Sequence, residues 1–496
     1  MKQQINAKRN YLYNVISELI TTLIPLITTP YVTRILDRDG MGAYGYAMTV
    51  AAYFVLFAGF GIKVYGNRCI AAVRDDPDAK NRTFSSIFYL QLGLSLIVSI
   101  LYFGYAALFG GEYRVLFAVF GINLLSTAID VTWLYYGLER FAPIALFTVL
   151  AKIGTAVCMF AFVKDHDDLW IYALIASLGV ILVQLLLWGR VLSFVRFVRV
   201  PFSDIKKHLL PCAALLLPLL APTLYRSMDK LMLEYVVNEN AVGLYSTAEQ
   251  LQTCMLGFIT SLGVVMLPRV SHMLAGGNER DATATIGKTM QFSVFLGCAF
   301  SFGIAAVSDI FVPYYYGQSF AESADSTALL APTILFIAFA EIIRSQYIIP
   351  HKRDRIFVSS VCTGALVNLA CNAVCIPLFY RNADALGLSA DAAGTLGAIP
   401  GTLLAELSVI LVQYLYLRKE LPFGKYLRDC AIFVFAGTLM LLAVRGCKML
   451  LLSLGVGSPL LILLATVAVG GIVYLAICLG WYLCFRRDTL KELLTK

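Results

Sequence analysis

Charge is what this chain has little of. Asp, Glu, Lys and Arg make up 14% of its 496 residues, against about 25% in ordinary soluble proteins. No polar stretch exceeds about 20 residues, which excludes an appended soluble domain, since such domains take about 50 or more. Histidine is scarce: His166, His208, His272 and His351 stand apart without ligand spacing, so no metal centre is supported. No GxxxxGK[ST] loop is present, which removes the basis for ATP hydrolysis by a Walker-type site. The one acidic run, DDPD at 75–78, reads as a solvated turn around Pro77 and not as a nucleotide-sugar site. No cofactor is expected.

What fills the space is apolar residues, 59% of the chain, more than a soluble core can use. They fall into stretches of about 20, enough to cross about 30 Å of hydrocarbon, at intervals of roughly 30 to 35 residues. About fourteen are read, near 11–36, 42–63, 84–108, 115–137, 143–163, 168–189, 210–236, 243–268, 287–309, 326–350, 355–378, 393–417, 427–446 and 458–485. The chain is therefore expected to be an all-α polytopic membrane protein. The basic start MKQQINAKRN leads into an apolar stretch too long for a signal h-region, so it is expected to remain as the first span. Among the twelve cysteines, Cys158, Cys212, Cys254, Cys298, Cys362, Cys371, Cys375 and Cys478 fall within spans, which predicts reduced thiols and not a disulfide framework.

Orientation follows from the positive-inside rule. With the N-terminus inside, 28 of the 39 lysines and arginines lie in inner segments, 6 in outer segments and 5 within spans. Both termini are then cytoplasmic and the protein sits in the plasma (inner) membrane. The basic balance is a topology signal and predicts no nucleic-acid partner.

Internal similarity divides the chain. Pro25 followed by GAYGYA (42–47) is matched by Pro218 followed by GLYSTA (243–248), and Asp130, Trp133 and Tyr136 are matched at equal spacing by Glu341, Arg344 and Tyr347. Six spans separate each pair, which predicts a parallel repeat about an axis along the membrane normal. The expected domains are an N-terminal six-helix lobe (1–189), a cytoplasmic linker (190–209), a C-terminal six-helix lobe (210–417), and two added spans with a cytoplasmic tail (418–496). Phe194, Phe197 and Val198 among Arg196, Arg199, Lys206 and Lys207 predict that the linker is an amphipathic helix on the inner surface.

The segments TPYVTRILDRDGMGAYGYA (29–47), WLYYGLERFAPIA (133–145) and MDKLMLEYVVNENAVGLYSTAEQL (228–251) are similar to the Wzx-like polysaccharide or oligosaccharide flippases of the multidrug/oligosaccharidyl-lipid/polysaccharide exporter superfamily. The similarity extends over nearly the whole length. It implies two six-helix lobes around a cavity, alternating between inward- and outward-open forms, and a polyprenyl-pyrophosphate-linked oligosaccharide carried from the inner to the outer leaflet. Partners implied are that lipid-linked sugar, the bilayer, a coupling proton or monovalent ion, and polysaccharide-assembly proteins. One position departs from the family pattern: Glu234 stands where a small residue, often Gly, is expected.

Ionisable residues inside spans face protein or a water-filled cavity, because exposure to lipid costs about 2.5 to 3.5 kcal/mol each. Arg34, Lys152, Arg226, Lys230 and Arg344 are the candidates for binding the anionic substrate. Arg226, Asp229 and Lys230 share one helix face and read either as a cationic floor for a pyrophosphate or as an ion pair packed for stability. Arg34 reads equally as snorkelling to the outer interface or pairing with Asp37, and Arg344 as a salt bridge to Glu341 one turn away. Lys152 has no acid within its own turn and so needs a partner or a cavity. Glu18, Asp130, Asp229, Glu249, Glu341 and Glu406 are the candidates for coupling or ion pairing, with Asp130 and Glu249 preferred for a proton. Tyr31, Trp133, Tyr136, Tyr225 and Tyr347 are candidates for stacking on sugar rings, or else members of interfacial aromatic belts. Two other functions compete: a cation-coupled drug antiporter of the same superfamily, which would favour an anionic cavity, and a membrane-embedded polysaccharide synthesis enzyme.

Overall fold

The structure, a computed structural model, describes the backbone of residues 2–485. Side chains are described from 17 to 484, except at 18–19 and several positions between 217 and 275. The chain divides into two compact units, Met1–Gly243 and Leu244–Lys496.

The first unit holds α1 (Lys2–Gly59), α2 (Ile62–Val73), α3 (Pro77–Phe109), α4 (Arg114–Ala128), α5 (Thr132–Gly137), α6 (Phe141–Phe162), α7 (Leu169–Val191), the short α8 (Phe202–Lys206), α9 (Leu209–Val236) and the first turn of α10 (Glu239–Ala275). The second holds the rest of α10, then α11 (Glu279–Tyr315), α12 (Ser323–Leu330), α13 (Pro332–Ile343), α14 (Asp354–Arg381), α15 (Ala383–Leu386), α16 (Ala390–Leu417), α17 (Phe423–Ser453) and α18 (Pro459–Phe485). Helices dominate because hydrocarbon supplies no partner for a free N–H or C=O, so each span must satisfy its backbone internally. Where helices begin in water, polar caps appear. The Asp76 carboxylate accepts from the amides of Asp78 and Ala79 at the start of α3, and Ser389 accepts from Ala392 at the start of α16.

Among the described residues eleven helical segments are long and apolar enough to cross a membrane. The first of them, Ile20–Val73, counts twice because α1 breaks at Asp37 (φ 55°, ψ −174°). Its two limbs pack in different clusters, Val32 and Leu36 with Val163 and Ile175, and Ala43, Ala47 and Val50 with Tyr102 and Phe117. With α9 and α10, of 28 and 37 residues, the described residues make fourteen helical passages of spanning length. It is a multi-pass membrane protein.

Among the described residues, each of the two matched acid–aromatic motifs coincides with a departure from regular α-helix. The fourth passage breaks between α4 and α5 at 129–131, and the tenth continues from α13 into a π-helical turn over Arg344–Ile348. Such turns recur at functional sites because they free a carbonyl and re-aim the side chains. In the second unit α17 and α18 pack on α11 around Met290, Cys298, Phe433 and Tyr474. The Tyr474 hydroxyl donates to the Phe295 carbonyl, and Lys448 pairs with Asp309.

The segment after α7 corrects an expectation. Residues 195–200 are not a surface helix; they run without helical structure along α3. The Arg196 amide donates to Asn81, the Val198 amide to Ser85, and Phe197 packs among Phe84, Phe88 and Trp188. Phe197 stays 42% exposed, so what holds the segment in this path is its ring contacts together with the two backbone hydrogen bonds to α3. Farther on, Arg82 pairs with Asp204 at 2.7 Å.

His208 closes the docked segment. The Ser86 hydroxyl donates to the Thr83 carbonyl, so Ser86 Oγ accepts from His208 Nε2–H at 2.9 Å, and His208 Nδ1 accepts from the Tyr65 hydroxyl at 2.8 Å. Burial first, then the Lys207 charge, pushes this imidazole below its ordinary value of 6.5, with Asp204 opposing. A depressed imidazole favours the neutral form in the docked state. Its contribution is therefore complete above that ordinary value and is lost as pH falls below it. Protection of the 195–207 amides from exchange, relative to their intrinsic rates at each pH, is expected to fall on acidification below about pH 6.5, and His208→Gln is expected to flatten the dependence.

Candidate functional site

The intramembrane charges sort by which side of their helix meets neighbours. On α6, Leu146, Leu150, Ile153 and Val157 are 47 to 61% exposed and form one stripe, the lipid-facing side. Lys152 is also exposed, but it stands about 140° around the helix from the middle of that stripe. On one side of it Thr155 packs on Gly179 of α7; on the other Phe160 meets the Tyr31 ring of α1 at 4.8 Å. Lys152 is thus an exposed ammonium between the contacts of α6 with α7 and with α1, with no hydrogen bond or ion pair among the described residues.

On α9, Asp229 is 2% exposed and Lys230 half-buried, and both have polar partners. The Arg226 and Tyr225 side chains, and that of Glu18 on α1, lie outside the described residues. Arg34 is exposed near the end of the first limb of α1, three residues before the break, and is also engaged. In the second unit Glu341 and Arg344 form a two-point ion pair at 2.7 and 2.5 Å, with the guanidinium 5.4 Å from the Phe357 ring. Gly263 of α10 leaves room for this pair: a methyl there would lie 3.0 Å from Ser345 Oγ and 3.8 Å from Glu341 Oε1. Glu406 is buried and Glu249 half-buried, each with a partner.

Several of the expected site residues also have structural partners. The Asp130 carboxylate accepts from the Thr132 amide at 2.7 Å and the Thr132 hydroxyl at 2.6 Å, so it holds Thr132. Trp133 is 1% exposed, its indole N–H shared between Gln91 and the Asp130 carbonyl and its ring against Gly66. Tyr347 is buried, with its hydroxyl on Glu420. Neither ring has a face to offer a sugar. The Tyr31 hydroxyl donates to the Val163 carbonyl at 2.7 Å, while Tyr136 is half-buried beside Lys63 and Phe141.

Other polar residues escaped a search for charges alone. Gln346, on the π-turn next to Arg344, is fully buried, and neither amide atom has a hydrogen-bond partner among the described residues. Asn372 donates to Asn368 at 3.2 Å on α14, and Gly401 of α16 fits over it. Glu234, the departure from the family pattern, is held by Tyr113, whose hydroxyl lies 2.7 Å from both Glu234 and Glu239. Neutral amides carry no mark in the sequence that separates a cavity from a core.

Residues 7–274 match the family described as "Polysaccharide biosynthesis protein". Two relatives are each named "Putative O-antigen transporter". The one from Escherichia coli (strain K12) is 20% identical over 371 residues, covering 74% of this chain and 89% of the relative. The one from Shigella dysenteriae is 23% identical over 384 residues, covering 75% and 93%. Among solved structures, "Lipid II flippase MurJ, inward closed conformation" is similar with a TM-score of 0.71 at 14% identity, covering 98% of this chain and 99% of that one. An inward-facing multidrug resistance MATE family transporter of the MOP superfamily has a TM-score of 0.54 at 15% identity, covering 83% and 95%. At these identities the likeness to the solved structures is one of fold.

Proposed function

The chain belongs to the polysaccharide biosynthesis protein family, and from that premise we propose that it is a flippase for a polyprenyl-pyrophosphate-linked oligosaccharide, moving it from the inner to the outer leaflet. The observation that carries this reading is Lys152, an interior cation on a face turned away from lipid. A sugar–pyrophosphate headgroup cannot cross hydrocarbon unaided, because each buried charge or unpaired hydroxyl costs several kcal/mol. A wet path lined by cations removes that cost for the phosphates, while the polyprenyl tail stays in lipid.

In the first unit Lys152 and Lys230 are the proposed phosphate-contacting cations, with Arg34 guarding the outer end and Arg226 assigned from sequence alone; Arg344 is the second unit's own candidate. Glu341 keeps Arg344 in place until phosphate competes for the guanidinium fork. The buried carboxyls Asp229 and Glu406, with Glu249, are the proposed coupling positions; a proton or monovalent ion taken up there would bias the alternation. We place the protein in the plasma membrane, both termini cytoplasmic, with 1–189 and 210–417 as lobes and 418–496 as an addition. We assign it no enzymatic step.

The test uses purified protein in vesicles loaded with lipid-linked oligosaccharide on one leaflet. Arrival of sugar on the other leaflet, read by an impermeant lectin, should require the protein. Equal arrival in protein-free vesicles, or transport of a cationic drug in place of the sugar lipid, overturns the reading.

A further inference from the structure

Apart from the interior charges, the second unit contains a cavity of about 690 Å³ between the N-terminal turns of α11 and α17, with charged residues in its lining. This lies within the usual range for small-ligand sites, about 300 to 1,000 Å³. Both helices begin on the side that the Lys/Arg asymmetry assigns to the cytoplasm. Arg280, Lys288 and Lys425 line the cavity and are exposed. The opposing acids are Glu279, in the first turn of α11, and Asp429, buried at the base with Gln291 donating to it at 3.2 Å. Three cations against two carboxylates leave one positive charge. The start of α17 adds to it: Pro422 supplies no side-chain cap and no acid stands in the first turn, so the helix presents an uncompensated positive end.

The walls are held in place. The Tyr426 hydroxyl donates to the Thr283 carbonyl at 3.2 Å, and Gly287 lets the Tyr426 ring come so close that a methyl there would be 3.0 Å away. One turn deeper on the Lys288 face of α11, Phe292 is 50% exposed and lies against Phe295. A charged pocket directly above an exposed aromatic is the profile of an amphiphile site.

We propose that this cavity binds the phosphodiester headgroup of an anionic phospholipid of the cytoplasmic leaflet, with its acyl chains running past Phe292. The single excess charge matches a phosphodiester and not a pyrophosphate, which separates this site from the transported substrate. Basic pockets between transmembrane helices at this depth are where such headgroups are recognised. The lipid here is a resident ligand bracing α17 against α11, so its binding does not depend on what the protein transports.

The full chain, purified into zwitterionic phosphatidylcholine nanodiscs, is titrated with phosphatidylglycerol, and binding is read by native mass spectrometry and thermal shift. Wild type should bind phosphatidylglycerol in preference to phosphatidylcholine and gain thermal stability. Lys288→Ala and Lys425→Ala should each weaken binding about fivefold, the Lys→Arg variants should retain it, and Phe292→Ser should weaken it without altering charge. Both lysines are exposed, so the variants should fold, which circular dichroism checks. Equal phosphatidylglycerol binding by wild type and the double alanine variant overturns the proposal. Binding of inorganic phosphate alone, displacing the lipid and indifferent to Phe292→Ser, would assign the pocket to a free anion and overturn the lipid.

Discussion

Lys152→Ala is expected to cut transport of the lipid-linked sugar by about tenfold or more, the loss of one charge-assisted contact to phosphate. Thermal stability should stay within about 0.5 kcal/mol of wild type. The two readouts separate because the ammonium has no partner among the described residues and is exposed, so its removal strands no buried charge. Lys152→Arg should keep most of the transport, and Lys152→Glu should lose more than alanine by repelling the phosphates. Transport and melting temperature are measured on the same reconstituted samples. Unchanged transport in the alanine variant removes Lys152 from the substrate path; a large fall in stability would instead make it a packing residue.

Gly42→Val and Gly243→Val should be the most damaging substitutions to the fold. A methyl at Gly42 would lie 1.8 Å from the Glu239 carbonyl oxygen, and one at Gly243 would lie 2.1 Å from the Arg38 carbonyl oxygen. Here the second limb of α1 and the first turn of α10 cross backbone to backbone, the close approach that small residues permit between membrane helices. The obstructing atoms are carbonyls, so no side chain can swing aside and the helices must separate. A loss of about 3 kcal/mol or more is expected, seen as reduced membrane abundance and a lowered melting temperature. Gly93 in α3, which has nothing within 4 Å, is the control: Gly93→Ala should be neutral or slightly stabilising. If the Gly42 and Gly93 variants melt alike, the crossing is not as tight as these distances state.

These two predictions draw differently on the sequence. The glycines were legible as repeated GAYGYA and GLYSTA motifs, but their meeting across one helix crossing was not, because similarity between two segments says nothing about their contact. Lys152 was legible as a cation without a local partner. Its direction came only from the burial of its neighbours on α6.

By itself the sequence determined the class of the protein, its spans, and the family. A chain with 14% charged residues in recurring apolar runs has no way to satisfy its backbone except as membrane helices. Tertiary structure decided the role of each polar residue inside those helices. Helical spacing places side chains on a common face, but which face meets lipid, a neighbour or an opening depends on packing between segments distant in sequence. That is why Trp133 and Tyr347 became buried anchors and Asp130 came to hold Thr132, while hydrogen bonds to Asn81 and Ser85 drew the linker out of a helix and Arg344 acquired its π-turn. Each outcome depends on contacts made by several helices together, a quantity that no local pattern encodes.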